Sequence, residues 1–205
     1  MRILSAQEFQ ELIEAGHETR NVEFKSAFSW DDAGSLWLRE KVIQTVLGMS
    51  NTRNGGTIVI GIREDNGVPD LDHGLSDEQF QTFDRYDDIK GVIDGFAAAG
   101  FDIAGAERNG QRFVFVSVRE FDLVPAICKK DGQYKDKGSG KLLLQRGDIY
   151  VRAKNGTEST IRTTEAEMQE IIELAIDKGQ RNLVGRGWKF EVQTPDRFKK
   201  QRGDF

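Results

Sequence analysis

The sequence predicts an α+β domain, a mixed and mostly antiparallel sheet flanked by helices. Three observations carry this expectation. Helical and strand periodicities alternate without the strict rhythm of a doubly wound fold. Asn109-Gly110, inside "ERNGQ", is a strong hairpin signal between two apolar-patterned runs, 101–106 and 112–118. A long helical stripe, Leu36 to Met49, stops at "NTRNGG" and passes directly into the β-branched run "TIVIGI".

Taken in order, Ser5 with Glu8 forms a capping box, and Phe9, Leu12 and Ile13 make one helical stripe that Gly16 ends. Residues 21–25 alternate, which predicts a short strand with Val22 and Phe24 inward and Glu23 and Lys25 on the polar face. The next helix carries Leu36, Val42, Ile43, Val46 and Leu47 on or near one face. Gly55 and Gly56 then suit a tight helix-to-strand turn. Ser76 with Gln79 opens a second helical stretch, broken once before Phe96 and closed by Gly100. After the hairpin, Leu123–Cys128 and Leu142–Arg152 are strand candidates, separated by the flexible basic loop "KKDGQYKDKGSGK", whose one apolar anchor is Tyr134. Thr164 with Glu167 caps a last helix bearing Met168, Ile171, Ile172, Leu174 and Ala175. Residues 1–180 form the expected domain, and 181–205 a basic tail or the start of a linker.

Composition bounds the function. The chain has 205 residues, 38% hydrophobic and 31% charged, as in an ordinary soluble globular protein. No apolar run approaches the roughly 20 residues that cross a bilayer, and the N-terminus meets charges too early for a signal peptide. A cytoplasmic protein is expected. Cys128 is the single cysteine, which excludes an internal disulfide and a cysteine-rich zinc cage. Two histidines leave little material for a histidine relay or a two-histidine zinc site. The net charge of −5 hides an asymmetry: 64–107 carries 12 carboxylates against Arg85 and Lys90, whereas 129–154 carries eight Lys/Arg against Asp131, Asp136 and Asp148. A molecule with one acidic and one basic side can track phosphates, although solvated charge on unrelated faces gives the same count.

Three stretches could carry chemistry. "NTRNGG" reverses the strand-then-glycine order of a phosphate loop and lacks its lysine, so a tight turn explains it better than a nucleotide site. In "HETRNVEFK", Glu18 and Glu23 converge only if a turn intervenes; with Glu64 and Asp65 they could hold Mg²⁺ or Mn²⁺, and alone they read as a charged edge strand. In "IYVRAK", Ile149 and Val151 are expected inward, with Tyr150, Arg152 and Lys154 outward. That trio suits either a base-stacking contact or cross-strand pairing on a solvated sheet.

Read together, "ETRNVEFK" (18–25), "SNTRNGGTIVIGI" (50–62), Pro125 and "IYVRAKNGT" (149–157) resemble the Schlafen AlbA-like domain family, described in bacteria as DNA-binding or as a divergent ATP-binding domain. The resemblance implies a Schlafen-core-like lobe that contacts RNA or DNA. In animal Schlafens the domain is similar to a metal-dependent endoribonuclease acting on tRNA and rRNA. It implies Glu18 and Glu23 as metal ligands, Glu64 or Asp65 as the third, and Lys25 stabilising charge at phosphorus. Lys129, Lys130, Lys135, Lys137, Lys141, Tyr150, Arg152 and Lys154 would position nucleic acid. Arg63 departs from the family's third acid, which leaves a non-catalytic binding or regulatory module as the alternative, and a nucleotide-binding domain as a third reading. The resemblance also implies a possible homodimer, or one part of a larger system.

Overall fold

The computed structural model describes residues 1–3, 19–65, 68–135, 138, 140–153 and 160–186, with Glu64, Asp65 and Val68 by backbone alone. In chain order the elements are β1 (Arg2–Ile3), β2 (Val22–Lys25), α1 (Leu36–Ser50), β3 (Gly56–Ile60), β4 (Arg63–Asp65), β5 (Val68–Asp70), α2 (Asp77–Gln81), α3 (Tyr86–Asp94), β6 (Phe101–Arg108), β7 (Gln111–Val118), β8 (Tyr150–Arg152), β9 (Thr160–Arg162) and α4 (Glu165–Gly185). The expected helix from Ser5 to Gly16 and the segment 187–205 lie outside the described residues.

The hairpin encoded by Asn109-Gly110 lies at the centre, with Asn109 at φ 52° and Gly110 at φ 76°. Five strands form the main sheet in the order β1-β6-β7-β3-β2. Its interior pairings, β6 with β7 and β7 with β3, are antiparallel; its edge pairings, β1 with β6 and β2 with β3, are parallel. The parallel β2–β3 pair follows from α1, which carries the chain back over the sheet.

Alternation along the strands creates two cores. Ile58, Ile60, Val114, Val116, Phe101 and Ile103 face the Val42–Met49 stretch of α1. Phe24, Val59, Ile62, Ala106, Phe113 and Phe115 form a smaller cluster on the opposite face. Glu23 pairs in register with Ile58, and Lys25 with Ile60, so both point toward the α1 side. The solvated face expected for Glu23 is therefore absent: both faces of β2 are covered, and Glu23 is only 7% exposed.

The β8–β9 ribbon, unexpected in its second strand, lies between two helices. Tyr150 belongs to the α1 core, whereas Val151 packs with Ile171 and Leu174 of α4. Residues 123–128 and 142–149 make isolated bridges, Ile127 to Ile149 and Lys135 to Leu142, rather than full strands. α4 runs through Gly179 and past the expected boundary at 180, ending at Gly185. Gln180, Arg181 and Leu183 are good helix formers, and one interior glycine costs only about 1 kcal/mol. The Ser76–Gln79 capping box forms as expected. At Thr164 the hydroxyl instead bonds the Glu167 carboxylate and caps no backbone amide. No described helix is long and apolar enough to cross a membrane.

Candidate functional site

The polar residues that end α1 organise the site. Asn51 is 1% exposed, and its amide nitrogen donates to the carbonyls of Ala126 (2.8 Å) and Tyr150 (2.9 Å). Its amide oxygen accepts from Ala126 N at 2.7 Å. Thr52, fully buried, donates to Gly48 O at 2.8 Å and accepts from Arg152 N at 3.4 Å. The "NT" of "NTRNGG" thus fixes two distant segments against one helix end. The turn after it needs glycine: Gly55 has φ 65°, and a Cβ there would collide with the Val118 carbonyl. The Asn54 amide donates to Glu120 at 2.7 Å, so this amide of the turn already holds a carboxylate of the protein itself.

Glu23 lies in a buried ion cluster. One carboxylate oxygen pairs with Lys25 Nζ and the other with Arg152 Nη1. Arg152 is fully buried; its other contacts are Arg20 O at 3.1 Å, Thr19 O at 3.2 Å and Thr160 Oγ1 at 3.4 Å. Arg20 returns the bond, donating from Nε to Arg152 O at 3.2 Å, and forks onto Glu170 at 2.8 and 2.6 Å. One cluster therefore joins β2, β8 and α4. Buried guanidinium is tolerated only when paired and hydrogen-bonded in this way.

These contacts decide how the residues fit a metal. Both oxygens of Glu23 face cations, and among the described residues no group of three His, Cys, Asp or Glu side chains could hold an ion. Glu18 lies outside the described residues. The backbone of Glu64 and Asp65 starts beyond the Lys25 end of β2, where Ile62 N donates to Lys25 O at 3.1 Å. Of the expected ligands, Glu23 alone has a described side chain, and both its oxygens face cations.

The expected outward placement of Tyr150 and Arg152 is corrected. Tyr150 is fully buried; its hydroxyl accepts from Gln145 N at 2.9 Å and lies 3.1 Å from Leu143 O and 3.2 Å from Asp148 Oδ2. Burial, reinforced by Asp148, pushes the phenol well above its ordinary range. Neither ring nor guanidinium is available to a base or phosphate, because β8 is covered on both sides.

The basic segment is a different environment. Lys129, Lys130, Lys135 and Lys141 are exposed, as is Arg146, while Lys137 and Lys154 lie outside the described residues. The loop is anchored by more than Tyr134. Glu40, 2% exposed, accepts from Gln133 N (2.6 Å) and Tyr134 N (3.3 Å), and Gly132 N donates to Leu144 O (2.8 Å). A Cβ on Gly132 would collide with that carboxylate. Cys128 is buried, and burial pushes its thiol upward, which suits packing rather than nucleophilic chemistry.

Sequence reasoning missed Glu40, Asn51, Arg20 and Glu170. Glu40 had a signal, since it shares the helical stripe of Ile43 and Leu47. Arg20 and Glu170 are 150 residues apart and had none.

The family model described as Schlafen, AlbA_2 matches residues 18–162. No curated protein matches. Among solved structures, the DIP2311 protein from Corynebacterium diphtheriae is similar at 17% identity and TM-score 0.47, over 80% of this chain and 28% of that one. The chain thus spans little more than a quarter of that protein. The N-terminal domain of a RecG-related ATP-dependent DNA helicase protein from Nitrosomonas europaea is similar at 21% identity and TM-score 0.45, over 67% of this chain and 92% of that one.

Proposed function

We propose, since the chain belongs to the Schlafen AlbA_2 family, that it is a nucleic-acid-binding domain whose contact surface is the exposed basic segment from Lys129 to Arg146. The observation that carries this reading is the state of those cations. Lys129, Lys135 and Arg146 are exposed, and none has a carboxylate partner among the described residues. Cations displayed on an anchored loop meet phosphates with little ordering cost and release counterions on doing so.

The finer reading, a Mg²⁺- or Mn²⁺-dependent endoribonuclease using Glu18, Glu23 and Glu64 or Asp65 with Lys25, is disfavoured by the pairing of Glu23 with Arg152 and Lys25. Binding without cleavage is the conclusion. The experiment is electrophoretic retardation of labelled tRNA and of a short single-stranded DNA, with Mn²⁺ or with EDTA. Retardation that fades as salt rises, persists in EDTA and leaves the strand intact is expected. Metal-dependent cleavage that disappears in Glu23→Gln would overturn the conclusion in favour of the nuclease.

A further inference from the structure

Next to the basic segment the surface opens into a cleft of about 560 Å³, lined by Ala98, the run 124–129, and Arg146 with Gly147. Its lining is apolar over most of its extent, and its neighbourhood exposes aliphatic side chains: Val124 is 72% exposed and Ile127 45%. Lys129 and Arg146 belong to the same lining. Arg20, Arg53, Arg112, Arg119, Arg152 and Arg162 each hold a carboxylate, whereas the Arg146 guanidinium has no partner among the described residues.

The cleft is also preformed. Asn51 holds Ala126 by both its N–H and its C=O. Cys128 N donates to Asp148 O at 2.9 Å, and Gly147 N to Cys128 O at 2.8 Å, which laces the two lining segments together. A rigid apolar recess with cations in its lining complements a ligand with flat apolar faces and an attached anion. A nucleotide has that form, and the volume lies within the range that encloses small organic groups. In a duplex both faces of a base are already stacked, so only an unpaired strand can offer one without a penalty for unstacking.

We infer that this cleft receives one unstacked base of a single-stranded nucleic acid, with Arg146 and Lys129 on its flanking phosphates. The inference rests on the nucleic-acid reading above and narrows it to unpaired strands, RNA or DNA.

The test is fluorescence anisotropy with three short probes of one sequence: single-stranded RNA, single-stranded DNA and the DNA duplex. The proteins are wild type, Val124→Ser, Ile127→Ser and Arg146→Ala, each with its melting temperature measured. Covering the exposed half of an aliphatic side chain is worth about 1 kcal/mol, so Ile127→Ser should weaken single-strand binding by about 5-fold while duplex binding stays weak and unchanged. A strand with an abasic site at the bound position should show the same loss in wild type and no further loss in Ile127→Ser. Equal affinity for duplex and single strand, or serine variants that bind like wild type, would overturn the cleft while salt-sensitive binding still supports the basic surface. No binding of any probe would overturn both. Comparison of the RNA and DNA strands identifies which backbone the surface prefers.

Discussion

Arg146 and Arg152 stand six residues apart in one basic run, and the molecule uses them in opposite ways. Arg152 is fully buried, paired with Glu23 and bonded to three further oxygens on two other segments. Arg146 is exposed beside an apolar cleft, with no side-chain partner among the described residues. The difference is set by what happens between them. Tyr150 buries its ring in the α1 core, Asn51 and Thr52 fix the β8 backbone, and Val151 packs against Ile171 and Leu174 of α4. A formal positive charge thus becomes part of the fold on one side of Tyr150 and stays exposed to solvent on the other.

Substitutions can break this contrast. The largest effect is expected at Arg152→Ala, which leaves buried Glu23 with Lys25 alone and takes the donor from Arg20 O and Thr19 O: roughly 3 kcal/mol of stability should disappear in urea unfolding. Arg152→Lys should recover little, because an ammonium cannot reach Glu23, Thr19 O and Arg20 O together. A wild-type melting curve for Arg152→Ala would erase the distinction between the two arginines. Tyr150→Phe comes next, leaving Gln145 N without its acceptor; about 1–3 kcal/mol should be lost, with nucleic-acid affinity unchanged once the protein is folded. A specific loss of affinity in that folded variant would return Tyr150 to the interface.

How much of this was legible in the sequence divides along the same line. The hairpin at Asn109-Gly110, helix α1, the Ser76–Gln79 cap and the basic run all follow from local chemistry, and the fold class follows from them. The orientation of β2 and β8 did not, because period-two alternation assumes one wet face. Here Glu23 and Phe24 are both buried, each against a different layer. Burying Glu23 depends on Arg152, 129 residues away, and no window of sequence contains both. Asn51 looked like part of a turn because its partners, Ala126 and Tyr150, lie 75 and 99 residues away.

Two smaller effects sharpen the comparison. Arg146→Ala should leave stability within about 0.5 kcal/mol while lowering the salt dependence of binding. Acid should loosen α4 through Glu120. Partial burial opposes ionisation of that carboxyl, but Lys178 at 2.8 Å and the Asn54 amide outweigh it, so it titrates below its ordinary value. Its contribution is therefore fully present above the unfolded carboxyl pKa of about 4.3 and disappears as pH falls through the lower folded value. Melting curves between neutral pH and about pH 3 should converge for wild type and Glu120→Gln, with wild type the more stable only at the upper end. Curves that stay parallel would remove Glu120 from the α4 clamp.

The most direct test of the account is the slope of log affinity against log salt for a short single strand, measured in EDTA for wild type and for the double variant Lys129→Ala/Arg146→Ala. Each phosphate contact contributes about 0.7 to that slope on single strands, so the variant should bind more weakly with a slope smaller by about 1.4. Parallel slopes, or binding that vanishes when metal is chelated, would contradict it and return attention to Glu23.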